Sequence, residues 1–226
     1  RGQAQFVPAA GGVGGNMNGI RLIEVEWVRL LRPDEDSHFA LVRELAAYHC
    51  LCGRSCQLGI NPHTGDVLEL TKNQAFHWSR IFEWPWVLTK ANLQPHHVVL
   101  DAGGGHGVFQ YAAARRCYHL LNIDADAESL VAVNAMIGIL KLSNLRPVQG
   151  DLLNIHRSAG KFDRVFCLSV LEHIPDWRKC LQELIRVLHP GGELFLTLDV
   201  NHNRPTGSPG DERAGGFWIG QDEARE

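Results

Sequence analysis

No stretch of this 226-residue chain approaches the roughly 20 consecutive apolar residues that a membrane-spanning helix needs. A secretory signal is lacking too. Gly11, Gly12, Gly14 and Gly15 break the only mildly apolar stretch near the start, and no basic region precedes it beyond Arg1. Neither sign of charge dominates: 22 Lys and Arg stand against 25 Asp and Glu. The formal net charge of −3 supplies no general pull toward nucleic acid or an anionic membrane. Internal repeats are absent. So is an initiating Met, which suggests a trimmed or processed chain. The expected location is the cytoplasm. Cys117, Cys167 and Cys180 fall in core elements and read as buried free thiols in a reducing compartment.

What is present is ordinary for a globular protein: 45% hydrophobic and 21% charged residues, enough to build one sizeable core with a smaller appendage. Three zones follow one another. Residues 1–19 hold six glycines and little that could bury, so a flexible leader is expected. Residues 20–97 form an accessory region. Arg21 to Leu31 is apolar but fits strand and helix equally. Asp34 to Tyr48 reads as a helix with Phe39, Val42, Leu45 and Ala46 on one face. Leu58 to Leu70 reads as a hairpin turning at Asn61-Pro62-His63-Thr64-Gly65.

From residue 98 the pattern becomes regular. Val98-Val99-Leu100 is a short apolar run of the kind buried on both faces of a sheet. A helix is expected from about Val108 to Cys117, a strand at His119 to Ile123, and a helix from Ala127 to Leu142. A third strand is marked by Pro147-Val148 and a fourth by Arg164 to Leu168. A helix from Trp177 to Leu188 then leads to a fifth strand at Glu193 to Leu198. The stretches Lys141 to Leu145 and His189-Pro190-Gly191-Gly192 have the composition of helix-to-strand turns. Strands alternating with helices imply βαβ units, hence an α/β, doubly wound, mostly parallel Rossmann-like sheet with helices on both faces.

Chemistry-bearing residues collect at the strand ends. After the first strand comes Asp101-Ala102-Gly103-Gly104-Gly105-His106-Gly107, where the glycines allow a sharp turn and close approach to a ligand. A dinucleotide fingerprint counted from Gly103 needs glycine at 108, where Val108 stands, and counting from Gly104 fails at His106. NAD and FAD are thereby disfavoured, while nucleoside-type ligands stay open. Asp124 ends the second strand, suitably placed to accept hydrogen bonds from vicinal ribose hydroxyls. Asp151, after the third strand, can accept from an exocyclic adenine amine. One such acid is common loop chemistry; three beside a glycine loop are not.

These motifs resemble class I S-adenosylmethionine-dependent methyltransferases, with a core like that of the type 11 group. Val99 to Gly107 is similar to their first motif. Phe162-Asp163 through Leu171-Glu172-His173-Ile174-Pro175-Asp176 is similar to their fourth-strand motif, and Leu188 to Gly192 to the turn before their fifth strand. The likeness runs from about 98 to 199. It implies S-adenosylmethionine as cofactor, with Asp101, Gly103, Gly104, Gly105 and Gly107 around its methionine portion. It further implies Asp124 at the ribose, Asp151 and Leu152 at the adenine, and Leu168 and Ser169 beside the methionine amino group. Such enzymes usually add a helix and a final antiparallel strand pair after the fifth strand. Here Asn201 to Gly216 reads as a loop and Ile219 to Glu226 as the first turns of a helix, so a core of 98–226 cut short at its C-terminal end is expected.

Three features lie outside that frame. Cys50, Cys52 and Cys56, with His49 and His63 nearby, are numerous enough for a tetrahedral zinc site. Their spacing lacks paired Cys-x-x-Cys knuckles, so zinc is a weak candidate and no metal is expected. Phe76, His77, Trp78, Phe82, Trp84 and Trp86 crowd the segment before the first strand. They suit a helix packing its aromatic face on the core, with a roof over the active site as the alternative. Arg80 and Glu83 read as an ordinary helix pair. In the fourth-strand loop, His173 is the candidate general base, while His106 is expected to pack within the glycine loop.

The expected activity is methyl transfer to an O, N or C nucleophile on a small molecule. Alternatives are a protein or RNA methyltransferase, or a non-catalytic cofactor-binding scaffold. The acidic balance, the absence of an RNA-binding module and the absence of an N/D-P-P-Y/W pattern at Leu168-Ser169-Val170-Leu171 weigh against the first. An intact glycine loop and Asp124 weigh against the second. No nucleic-acid or membrane partner is expected.

Overall fold

The computed structural model describes residues 36–52, 58–60, 67–69, 80–198, 200–201 and 219–220, with side chains described within 37–49, 51–52 and 80–198. The leader, the Arg21 to Leu31 stretch, Phe76, His77 and Trp78 fall outside these residues. In chain order the elements are α1 (Asp36–Leu51), β1 (Leu58–Ile60), β2 (Val67–Glu69), α2 (Arg80–Ala91), β3 (Val98–Ala102), α3 (Phe109–Ala114) and β4 (His119–Asp124). There follow α4 (Ala127–Leu140), β5 (Leu145–Gln149), β6 (Phe162–Leu168), α5 (Trp177–Arg186), β7 (Leu188–Thr197), β8 (Val200–Asn201) and β9 (Ile219–Gly220).

Five of these strands form one sheet in the order β5-β4-β3-β6-β7, with every neighbouring pair parallel. The order reverses beside β3, so the carboxyl ends of β3 and β6 diverge into a crevice, the usual ligand position in a doubly wound sheet. Apolar residues alternate across the sheet because successive side chains point to opposite faces. Val99, Leu120, Phe166 and Phe195 join α1, α2, α3 and α4 on one face, while Leu100, Leu121, Val165 and Cys167 join Cys180 and Leu184 of α5 on the other. Phe166 is wholly buried, edge-on to Phe109 at 4.9 Å between ring centroids and 5.4 Å from Phe195. Each such contact adds about 0.5–1.5 kcal/mol beyond its area. Through Phe109 it also fixes the start of α3, where the glycine loop ends.

Helix starts follow their side chains. Asp126 caps α4 by accepting from the Glu128 N–H at 3.0 Å, and Asp176 caps α5 by accepting from the Lys179 N–H at 3.3 Å. Lys141 ends α4 with a left-handed φ of 54°. The accessory helix α1 buries Val42, Leu45, Ala46 and Tyr48, and Phe39 is only half-buried. Glu44 of α1 pairs with Arg116 at 2.6 Å, while Arg115 Nε donates to the Tyr48 hydroxyl at 2.9 Å, fastening α1 beyond α3.

Two expectations change. His189 to Gly192 was read as a turn, yet β7 runs through it. Its register with β6 jumps from Phe162↔Leu188 to Arg164↔Glu193. Gly191 at φ +81° makes the extra residues a bulge in the strand rather than a break before it. Secondly, Ile219-Gly220 is not helical; it pairs in parallel with Val200-Asn201. A β-branched residue followed by glycine is a poor helix start, and a strand partner was within reach. The hairpin forms as expected, with β1 antiparallel to β2. Among the described residues no helix is long and apolar enough to cross a membrane.

Candidate functional site

The glycine loop leaves β3 at Gly103 and enters α3 at Phe109. Two of its glycines are required by geometry. Gly103 has φ +75°, and a Cβ there would lie 2.6 Å from Val170 Cγ1. A Cβ on Gly104 would lie 2.3 Å from Asp101 Oδ2. The loop is held from below: the Gly103 N–H donates to Ile123 O at 2.8 Å and the Gly107 N–H to Gly104 O at 2.9 Å. Asn122 and Gln110, both fully buried, satisfy its carbonyls. Asn122 Nδ2 donates to Gly105 O at 3.0 Å, and Gln110 Nε2 donates to Gly107 O at 2.8 Å. Neither was singled out from the sequence. The available signal was an amide side chain in the otherwise apolar interior of His119-Leu120-Leu121-Asn122-Ile123.

Asp124, at the end of β4, braces the loop from the side. Its Oδ2 accepts from the Gly105 N–H and its Oδ1 from the Asp126 N–H, each at 2.8 Å. Each oxygen keeps capacity for a ligand hydroxyl. Asp101 is 3% exposed, and burial together with the nearby Asp124 charge raises its pKa to about 7. Beyond the loop, the Ser129 hydroxyl donates to Asp126, whose carboxyl it holds below the usual range with help from the Glu128 N–H. His106 Nδ1 lies 2.9 Å from Ser129 Oγ. His106 is exposed on the cavity wall, not packed within the loop as expected, because Ser129 draws its ring outward.

These groups surround a cavity of about 300 Å³ at the carboxyl ends of β3, β4 and β6, at the small end for a ligand cleft. Of the residues marked from the sequence, Asp101, Gly103, Gly104, Gly105, Gly107, Asp124, Leu168 and Ser169 line it. Asp151 and Leu152 do not: Asp151 is exposed and accepts from the Leu153 N–H at 2.8 Å, and Leu152 is buried in the core on the α5 side. His173 is exposed outside the lining, closing a short 3₁₀ turn, Leu171–His173, whose last N–H donates to Val170 O at 2.9 Å. Cys52 is half-buried, while the Cys50 side chain, Cys56 and His63 lie outside the described residues.

Helix α2 supplies the fourth wall. Its Ile81, Pro85, Val87 and Leu88 pack into the core, while Arg80 and Trp84 line the cavity. The described part of the aromatic segment, from Arg80 on, therefore both packs on the core and lines the cavity. Trp84 lies 3.7 Å from the point a Cβ on Gly107 would occupy, with the Arg80 guanidinium 5.6 Å from the centre of its ring. Arg80 and Glu83 are not an ordinary surface pair. Arg80 Nη1 also donates to Ser169 Oγ at 2.7 Å, and Glu83 accepts from the Ser169 and Thr197 hydroxyls. A sequence reading of the helix alone shows only the i,i+3 spacing; the partners come from strand ends far along the chain.

Residues 100–196 match the family model for a methyltransferase domain. Over 119 residues the chain is 32% identical to the ubiquinone biosynthesis O-methyltransferase of Erwinia tasmaniensis, covering 52% of this chain and 48% of that one. Through this region the chain is similar to the class I S-adenosylmethionine-dependent methyltransferases. The protein of the same name from Cronobacter sakazakii is 31% identical to this chain over 107 residues, 46% of this chain and 43% of that one. The chain thus spans about half the length of the curated relatives it matches. The crystal structure of YcgJ from Bacillus subtilis shares the fold, with a TM-score of 0.52, 24% identity, and 54% and 53% of the two chains covered.

Proposed function

We propose that the chain binds S-adenosylmethionine in this cavity and transfers its methyl group to a nucleophilic oxygen, nitrogen or carbon of a small molecule. The observation that carries the reading is the joint bracing of one loop: Asn122 and Gln110 hold its carbonyls from beneath, while Asp124 holds Gly105 and faces the cavity together with the loop. The donor set suits the cofactor. Asp124 retains acceptor capacity for ribose hydroxyls, and Asp101 offers a carboxylate to an ammonium group. Arg80 is the guanidinium among the described lining residues, matching a carboxylate. Asp151 and Leu152 remain our choice for the adenine edge, and Leu168 with Ser169 for the methionine end. A cytoplasmic setting belongs to the same reading, supported by the free buried thiols Cys117, Cys167 and Cys180.

The bound cofactor supplies a sulfonium methyl with a good leaving group already in place. What remains for the protein is alignment, which can contribute on the order of 7–11 kcal/mol. The braced loop and the α2 roof fix one reactant and shield it from water. Where the acceptor must lose a proton early, His173 is the base we assign. It is exposed four residues beyond Ser169, accessible to an acceptor that stays outside the cofactor cavity. The relatives' names support an oxygen nucleophile on a small molecule. Incubation with isotopically methyl-labelled cofactor and a panel of phenols, catechols, amines and active-methylene compounds tests this. Label transfer to a member of the panel supports the proposal; tight cofactor binding with no transfer to any small molecule contradicts it.

A further inference from the structure

We propose that Glu83 is a positioning residue of the cofactor site, fixing the Arg80 guanidinium at the cavity wall and tying helix α2 to the ends of β6 and β7. It rests on the cofactor reading above, since Arg80 is the group held ready. Four side chains from three elements meet here. Glu83 is 7% exposed and takes Arg80 from its own helix, the Ser169 hydroxyl at 3.0 Å from the end of β6, and the Thr197 hydroxyl from the end of β7. A buried carboxylate needs such partners, because an uncompensated charge there is costly. An exposed i,i+3 pair would need none of them.

Ser169 shows that the arrangement is built rather than incidental. Its φ of 51° is left-handed, uncommon for a residue that is not glycine. The conformation is over-determined: the Ser169 N–H donates to Thr197 O at 2.8 Å and to Thr197 Oγ1 at 3.0 Å, while its hydroxyl joins Glu83 and Arg80. Strained backbone held this firmly concentrates where a side chain must be aimed. Only Arg80 and Ser169 of the four line the cavity, so Glu83 and Thr197 act through them.

Two ligands separate this role from general support of the fold. S-adenosylhomocysteine carries the amino-acid carboxylate; methylthioadenosine has the same adenosine and thioether without it. Glu83→Gln keeps the side-chain volume and an oxygen for Ser169 and Thr197, but turns an amide N–H₂ toward Arg80. In calorimetry it should weaken S-adenosylhomocysteine about tenfold and leave methylthioadenosine within about twofold. Thr197→Val, milder and nearly isosteric, should show the same selective loss at about threefold. Equal weakening of both ligands, or of neither, overturns the proposal while leaving the cofactor reading intact. A parent protein that binds neither ligand overturns both.

Discussion

The Gly105 N–H donates to Asp124 Oδ2 at 2.8 Å, so the acid at the end of β4 and the loop after β3 form one unit. Asp124→Ala therefore removes two things at once, the ribose acceptor and the brace of the loop. Cofactor affinity should fall by about 1.5–3 kcal/mol, roughly 10- to 150-fold. The fold should persist, because Asp124 is not part of the core. Calorimetry with S-adenosylhomocysteine checks the first claim and thermal unfolding the second. Unchanged affinity would remove Asp124 from the site.

Gly104→Ala tests the close approach of loop and strand. The new Cβ would lie 2.3 Å from the buried carboxylate of Asp101. The loop must shift, and binding should drop at least tenfold, with a stability loss of about 1–3 kcal/mol. Gly138→Ala is the control, since a Cβ there meets nothing within 4 Å and alanine favours the helix. It should leave binding unchanged and hold or raise the unfolding midpoint.

The sheet and the glycine loop were legible because their signals are local. A short apolar run, a glycine cluster and an acid recur at the period of βαβ units, and the strand order follows from handedness. The α2 wall was not legible. Ser169 and Glu83 are 86 positions apart and Thr197 and Glu83 are 114 apart, and only the fold brings them together. Asn122 and Gln110 escaped for a related reason: a polar residue inside an apolar strand or helix names no partner until the neighbouring loop is in place. His189 to Gly192 was read as a turn before the strand because its proline and glycines break regular structure, and in the fold they form a bulge within it.

Asp101 predicts a pH dependence. Its carboxyl titrates at about 7 in the folded protein, against 3.8 ordinarily, because burial and Asp124 disfavour its charge. Between those values the folded state keeps a proton that the unfolded chain releases. Stability should therefore fall as pH rises from about 4 to about 7, by a few kcal/mol at most. An ammonium group brought into the cavity favours the ionised carboxylate, so cofactor binding should release a proton near neutrality. Unfolding midpoints across this range, and calorimetry in buffers of different ionisation enthalpy, read both effects. In Asp101→Asn both should vanish; their persistence would assign them to another group.

His173 and His106 make a matched pair for the acceptor side. His173→Ala, assayed at saturating cofactor from about pH 6 to about pH 9, should lose on the order of 100-fold in kcat and alter the acidic limb of the profile, with cofactor affinity unchanged. His106→Ala, which breaks the Ser129 contact at the cavity wall, should change kcat less than about fivefold. A His173 variant that also loses less than fivefold would leave alignment as the whole mechanism.

Titration of the purified protein with S-adenosylhomocysteine, followed calorimetrically, tests the central claim most directly. The account predicts saturable binding of one ligand per chain, competitive with S-adenosylmethionine and weakened at least tenfold in Asp124→Ala. A folded protein that binds neither compound at millimolar concentration would contradict it.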